Sequence, residues 1–229
     1  MKFILGKKMA MTQRYRPDGS AVTVTTVVAE PCVVAQIKTV ERDGYTAVQV
    51  GSGKVKRVAK PQHGHLKPVG PVATLREFRV SPEEAKLLAV GDRITVATFA
   101  PGDFVKVTGT SKGRGFQGVV KRHGFKGSPK THGHKDQLRM PGSSGAGGVQ
   151  RVRPGKRMPG RMGTDRVTVS NLEVIAVDAQ ANTLDVHGAV PGSRNGLLLV
   201  YAEGELKTLK PEAATVASAE VAPALPPAA

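Results

Sequence analysis

Fifty-five residues in the middle of this chain, Gly109 to Gly163, show no apolar periodicity that could give a helix or strand a buried face, yet strand-like sequence stands on both sides. Such a segment cannot form a core. Whatever folds is assembled from the flanks, and the middle leaves the fold as one long loop. Loops beyond ~15 residues without structure of their own are usually functional or disordered. Folded back on itself at ~3.3 Å per residue, this one could extend on the order of 90 Å.

The flanks read as β-structure. SAVTVTTVVA (Ser20–Ala29), CVVAQIKTV (Cys32–Val40), YTAVQVG, RITVATF (Arg93–Phe99), FVKVTGT, RVTVSNLEVIAVD (Arg166–Asp178), NTLDVHG and GLLLVYA are short and rich in β-branched residues. Asp18-Gly19 and Asp43-Gly44 are turn signals, and DAQAN fits a hairpin turn. One helix stands out, SPEEAKLLAV, with Ser81 as cap, Pro82 in the first turn, Glu84 completing a capping box and Gly91 as the stop. Many short strands with turn punctuation predict a mainly β fold, a small β-barrel built from residues 1–108 and 164–210 with a small α/β insertion around 51–92. Residues 211–229, rich in Ala and Pro, read as a disordered tail. Cys32 has no cysteine partner and reads as a small buried hydrophobe. No apolar run suits a membrane span or a signal-peptide core, so the expected address is cytosolic.

Charge separates the middle from the flanks. From Lys106 to Arg166 there are fifteen Lys and Arg against Asp136 and Asp165, which places +13 of the net +16 there. Fourteen of the 27 glycines fall between Gly109 and Gly163. Lys112, Arg114, Lys121, Arg122, Lys126, Lys130, Lys135 and Arg139 recur on the way out, and Arg151, Arg153, Lys156, Arg157 and Arg161 on the way back, without helical phase. A solvated surface needs no such density of like charge. Gly113, Gly115 and Gly118 let the main chain approach a sugar-phosphate backbone, and arginine can grip phosphate and stack on bases. The combination suits a peptide threading between RNA helices. His123, His132 and His134 fit stacking on RNA better than a metal site, because no cysteine is near and the surroundings are cationic.

Gly113-Arg-Gly115-Phe-Gln-Gly118 is also a literal G-x-G-x-x-G, which opens the alternative of an NAD-type oxidoreductase. Only Val119 to His123 follow before Gly124 interrupts, and no apolar helical stripe develops, so the cofactor reading lacks its helix. No catalytic constellation is present, and Ser143-Ser144 has no base beside it. The expectation is an RNA-binding protein, not an enzyme, with no cofactor, metal, membrane or small-molecule partner; a free RNA chaperone is the second alternative.

The residues also resemble a known family. ILGKKMAMTQ, VVAQIKTVERDGYTAVQVG, LREFRV, GDRITVATF, VTGTSKGRGFQGVVKRHGFKG, RMPGSSG, GRMGTDRVTVSNLEV and GAVPGSRNGLLLV follow, in order from Ile4 to Val200, the pattern of bacterial large-subunit ribosomal protein L three. The resemblance implies a translation-factor-like β-barrel on the outside of the large subunit, early assembly on 23S rRNA beside other ribosomal proteins, and a loop whose tip lies near the peptidyl transferase centre. That tip would be Ser144, Gly145, Ala146, Gly147, Gly148, Val149 and Gln150. Some members carry an N-methylated glutamine at the tip; here Gly148 falls near that place and Gln150 is slightly offset.

Overall fold

The computed structural model describes residues 1–210; the expected tail, 211–229, lies outside the described residues. In chain order the elements are β1 (Lys2–Tyr15), β2 (Ala21–Val28), β3 (Cys32–Lys38), α1 (Val40–Asp43), β4 (Ala47–Lys54), α2 (Lys60–His65), β5 (Val72–Arg79), α3 (Pro82–Lys86), β6 (Arg93–Ile94), β7 (Phe104–Thr110), β8 (Phe116–Gln117), α4 (Val119–His123), β9 (Gly160–Arg161), β10 (Arg166–Asp178), β11 (Thr183–His187), β12 (Leu197–Ala202) and β13 (Thr208–Leu209). They fall into two compact units, Met1–Pro31 with Thr95–Leu206, and Cys32–Ile94 with the described residues 207–210.

The first unit is the expected β-barrel, closed in the order β1-β12-β7-β10-β11-β2. Alternation decides which side chains go inside. Val105 and Val107 on β7, and Leu198 and Val200 on β12, are fully buried, whereas Phe104 and Lys106 are exposed. Val107 stands opposite Val200 on one side and Val169 on the other. Two long strands change partner along their length. β1 pairs with β12 from Lys2 to Lys7 and with β2 from Lys7 to Tyr15. β10 pairs with β7 up to Glu173 and with β11 from Val174. The register of β10 shifts between Val169 and Leu172, where Asn171 takes a left-handed φ of 61°. Asn tolerates that conformation, and a bulge of this kind bends a strand at a barrel corner. DAQAN forms the expected hairpin turn, its Asp178 carboxylate accepting the Gln180 and Ala181 amides at 2.9 and 3.0 Å.

The second unit is a five-stranded sheet, β13-β6-β3-β4-β5. Sequence reading expected β3 and β4 among the barrel strands; they pair instead with each other and with β6 and β5. Alternating apolar residues show that a strand has a buried face, not which sheet it joins. The Asp43-Gly44 turn is a single helical turn, α1, closed by Gly44 at φ 79°. RITVATF is a strand only at Arg93–Ile94, after which Val96–Thr98 form one 3-10 turn. The capping box at Ser81 forms as read, but α3 stops at Lys86, short of Gly91. Buried Asp92 accepts the Ala89 amide at 2.9 Å and so draws the chain off the helical path.

On this sheet the Tyr45 hydroxyl donates to Glu77 at 2.7 Å and accepts from Lys38 at 2.8 Å, and Lys38 also pairs with Glu77 at 2.9 Å. The Tyr45 hydroxyl, followed by the Lys38 ammonium, holds the Glu77 carboxyl below its ordinary value against the opposing effect of burial. A carboxylate depressed in the folded state adds stability that is present above its unfolded pKa and lost as pH falls through the folded one. Tyr45→Phe is therefore expected to lower the urea midpoint at neutral pH, and the gap to wild type to narrow in acid below the Glu77 pKa. An equal gap at both pH values would refute this linkage.

Candidate nucleic-acid interface

The interface grows out of the β7–β10 seam of the barrel. The ladder ends at Thr110 opposite Arg166, and two arms continue beyond it. The Ser111 amide donates to Asp165 O at 2.9 Å, Arg114 to Met162 O at 2.9 Å, and Met162 to Gly115 O at 3.0 Å. β8 then pairs with β9, Phe116 opposite Arg161. At the base, Gly163 and Thr164 are consecutive left-handed residues with φ of 82° and 59°. Any Cβ on Gly163 would overlap the Lys112 carbonyl oxygen. Threonine rarely adopts this conformation, so the reversal is a locally strained one that the pairing of the arms maintains. On the barrel, Lys8 donates to Val190 O at 2.6 Å and Gly192 O at 3.2 Å. Burial, and then the nearby Lys112 ammonium, push the Lys8 pKa down.

Farther out, Gly118 leads into α4, one helical turn ended by Gly124 at φ 73°. Arg122 Nη1 and His123 Nε2 both reach Met158 O, at 2.8 and 3.1 Å, and join the outgoing arm to the returning one. Ser128 N donates to Leu138 O at 3.0 Å, and Lys156 Nζ to Ser143 O at 3.2 Å. The tip contains a single 3-10 turn, Gly147–Val149, terminated by Gln150 at φ 53°. A Cβ on Gly147 or Gly148 would meet open space.

The structure keeps the basic residues outward. Lys112, Arg114, Lys121, Lys126, Lys130, Lys135, Arg139, Arg151, Arg153, Lys156, Arg157 and Arg161 are exposed, while Arg122 and His123 are half-buried as arm staples. Among the described residues no ion pair neutralises a cation of the segment; the salt bridges Lys2–Asp103, Arg14–Asp185, Arg16–Glu173 and Lys38–Glu77 all lie elsewhere. A row of unpaired cations on paired arms is an electrostatic footprint for a polyanion. His132 and His134 are exposed and apart from the His123 staple, and no three His, Cys, Asp or Glu side chains converge among the described residues.

The glycine motif does not build a dinucleotide site. The helix after Gly118 exists, which sequence reading did not expect, but it is a single turn. Gly113 and Gly115 belong to the paired arms, and every strand pairing in the described residues is antiparallel, so the parallel βαβ unit is missing. No helix of the described residues is long and apolar enough to cross a membrane.

Sequence reading takes His63 and His65 as part of a surface loop with a few phosphate contacts; they lie on the short helix α2, within a second basic stretch. Lys54, Lys56, Arg57, Lys60 and Lys67 are exposed around α2 in the second unit, beside His63 and His65. The signal was available as a run without an acid from Lys54 to Lys67.

The family model for ribosomal protein L3 matches residues 83–193. The large ribosomal subunit protein uL3 of Heliobacterium modesticaldum is 52% identical over 204 residues, covering 87% of this chain and 95% of that protein. The same-named proteins of a Roseiflexus species and of Dehalococcoides mccartyi are 52% and 47% identical, covering 86% and 88% of this chain and 95% and 98% of theirs.

Proposed function

Given that the chain belongs to the ribosomal protein L3 family, a structural family and not one of enzymes, we propose that it is a constituent of the large ribosomal subunit whose residues 109–163 lie directly against 23S rRNA. The observation that carries this is the geometry of the arms, with backbone hydrogen bonds joining them and their cations turned outward and unpaired. Arg114, Lys121, Arg153, Arg157 and their neighbours grip phosphates, and the glycines bring the main chain close to the RNA. The uncharged tip, Ser143 to Gln150, passes between RNA elements and ends near the peptidyl transferase centre, in its outer shell and not as a catalytic group. The protein joins early in subunit assembly, beside other large-subunit proteins of the cytoplasmic ribosome. N-methylation is not assigned to Gln150, because the resemblance puts Gly148 near the modified place and Gln150 slightly offset from it.

Arms and tip are expected to fail differently. Alanine at both Arg153 and Arg157 should deplete mature large subunits in a sucrose gradient. A bulky residue at Gly148, where a side chain meets open space in the protein, should leave incorporation intact and change peptidyl transfer or the response to antibiotics of that centre. Tip variants that assemble normally and behave as wild type in both assays would reduce the tip to a hairpin end. Release of the protein from large subunits by a high-salt wash would favour a free RNA chaperone instead.

A further inference from the structure

The outgoing arm also holds a cleft. It has a volume of about 570 Å³ and opens between Phe125–Ser128 and Gln137–Ser143. That lies within the range of small-ligand sites, roughly 300–1,000 Å³. A main-chain hydrogen bond joins its two sides. Ser128 N donates to Leu138 O, and Gly127, at φ 72°, has no Cβ to obstruct that same carbonyl. Phe125 forms one wall, half-buried, with the His123 ring 6.2 Å away and tilted by 46°. The Gln137 amide and the Ser128 hydroxyl are lining groups that donate to no protein atom among the described residues. Lys126 supplies a cation at the rim, Met140 an adaptable apolar contact, and no acid lines the cleft.

We propose that this cleft receives one unpaired base of an RNA strand. The base stacks against Phe125, the Gln137 amide and Ser128 hydroxyl bond its edge, and Lys126 meets the adjoining phosphate. An amide matches the N6/N7 edge of adenine, which makes adenine the favoured base. A base inside a duplex cannot enter, so the site selects single-stranded RNA while the arm cations accept either form. The proposal rests on the reading of residues 109–163 as an RNA-binding segment.

The test uses the full chain with two probes: a short oligoadenylate containing one fluorescent adenine analogue, and a blunt RNA duplex. Wild type is expected to quench the analogue and, under ultraviolet light, to crosslink through the peptide containing Phe125. Phe125→Leu should weaken oligoadenylate binding about 10-fold, the order of one base–aromatic stack, and leave duplex binding and its salt dependence unchanged. Phe125→Tyr should retain wild-type affinity. The site is refuted if Phe125→Leu binds oligoadenylate like wild type, loses both probes equally, or if crosslinks map outside the cleft. Should wild type bind neither probe, the RNA-binding reading itself falls; duplex binding with no effect at Phe125 removes only the cleft.

Discussion

The affinity of the isolated chain for large-subunit rRNA is expected to fall by roughly 10³–10⁵ between about 50 and 200 mM monovalent salt. Each phosphate contact releases a condensed counterion, and the log–log slope is about −0.7 to −0.9 per contact. If ~8 of the segment's cations engage phosphates, the slope is roughly −6 to −7. The structure supports that many contacts, because twelve Lys and Arg of the arms are exposed and no acid of the protein pairs with them among the described residues. Filter binding across a salt series measures the slope directly. A slope near zero would falsify phosphate gripping by the arms, and replacing Arg114 and Lys121 together should make it shallower by about 2 contacts' worth without altering barrel stability.

The second large effect is expected from one methyl group. Gly163→Ala places a Cβ on the Lys112 carbonyl oxygen at a residue with φ of 82°. The left-handed conformation alone costs an alanine roughly 1–2 kcal/mol. The overlap is with backbone, so it is relieved only if the arms part. Opening there releases the bonds from Ser111 to Asp165 and from Arg114 to Met162, the first two beyond the barrel. The variant should fold, since the barrel seams are elsewhere, but bind rRNA at least ~10-fold more weakly because the RNA must then order both arms itself. Hydrogen exchange gives an independent reading: the Ser111, Arg114 and Met162 amides lose protection while those of Val107 and Val200 keep theirs. Retained protection at all five would show that the arms tolerate the methyl group.

The barrel was readable because alternation is a side-chain property. Val105 and Val107, or Leu198 and Val200, announce a buried face from sequence alone. The capping box at Ser81 was readable for the same reason, since both of its hydrogen bonds involve a side chain. The early stop of α3 depends on Asp92 turning inward, and burial of one acid leaves no periodic trace. Membership of β3 and β4 in the second sheet depends on partner strands, which alternation does not name. In the candidate interface the cations were visible and their scaffold was not. The arms are joined mostly by backbone amides and carbonyls, such as Arg114 to Met162, which every sequence contains. The cleft at Phe125 was invisible because it is made by two stretches brought together at Ser128 and Leu138.

The pairing of β1 with β12 also sets an order of events during synthesis. Lys2 lies opposite Ala202, and Val28 of β2 opposite Thr183 of β11, so two seams of the barrel join strands that lie before the arms to strands that lie after them. Closing contacts so distant in sequence is slow and waits until β11 and β12 have been made. The β3–β4–β5 portion of the second sheet is contiguous and can form while the rest is still being translated. The cationic arms therefore emerge from the tunnel with no barrel yet closed to hold their roots. In that interval the nascent chain is an open, positively charged strand in a cell full of RNA, and the first grip on nucleic acid can precede the completed fold.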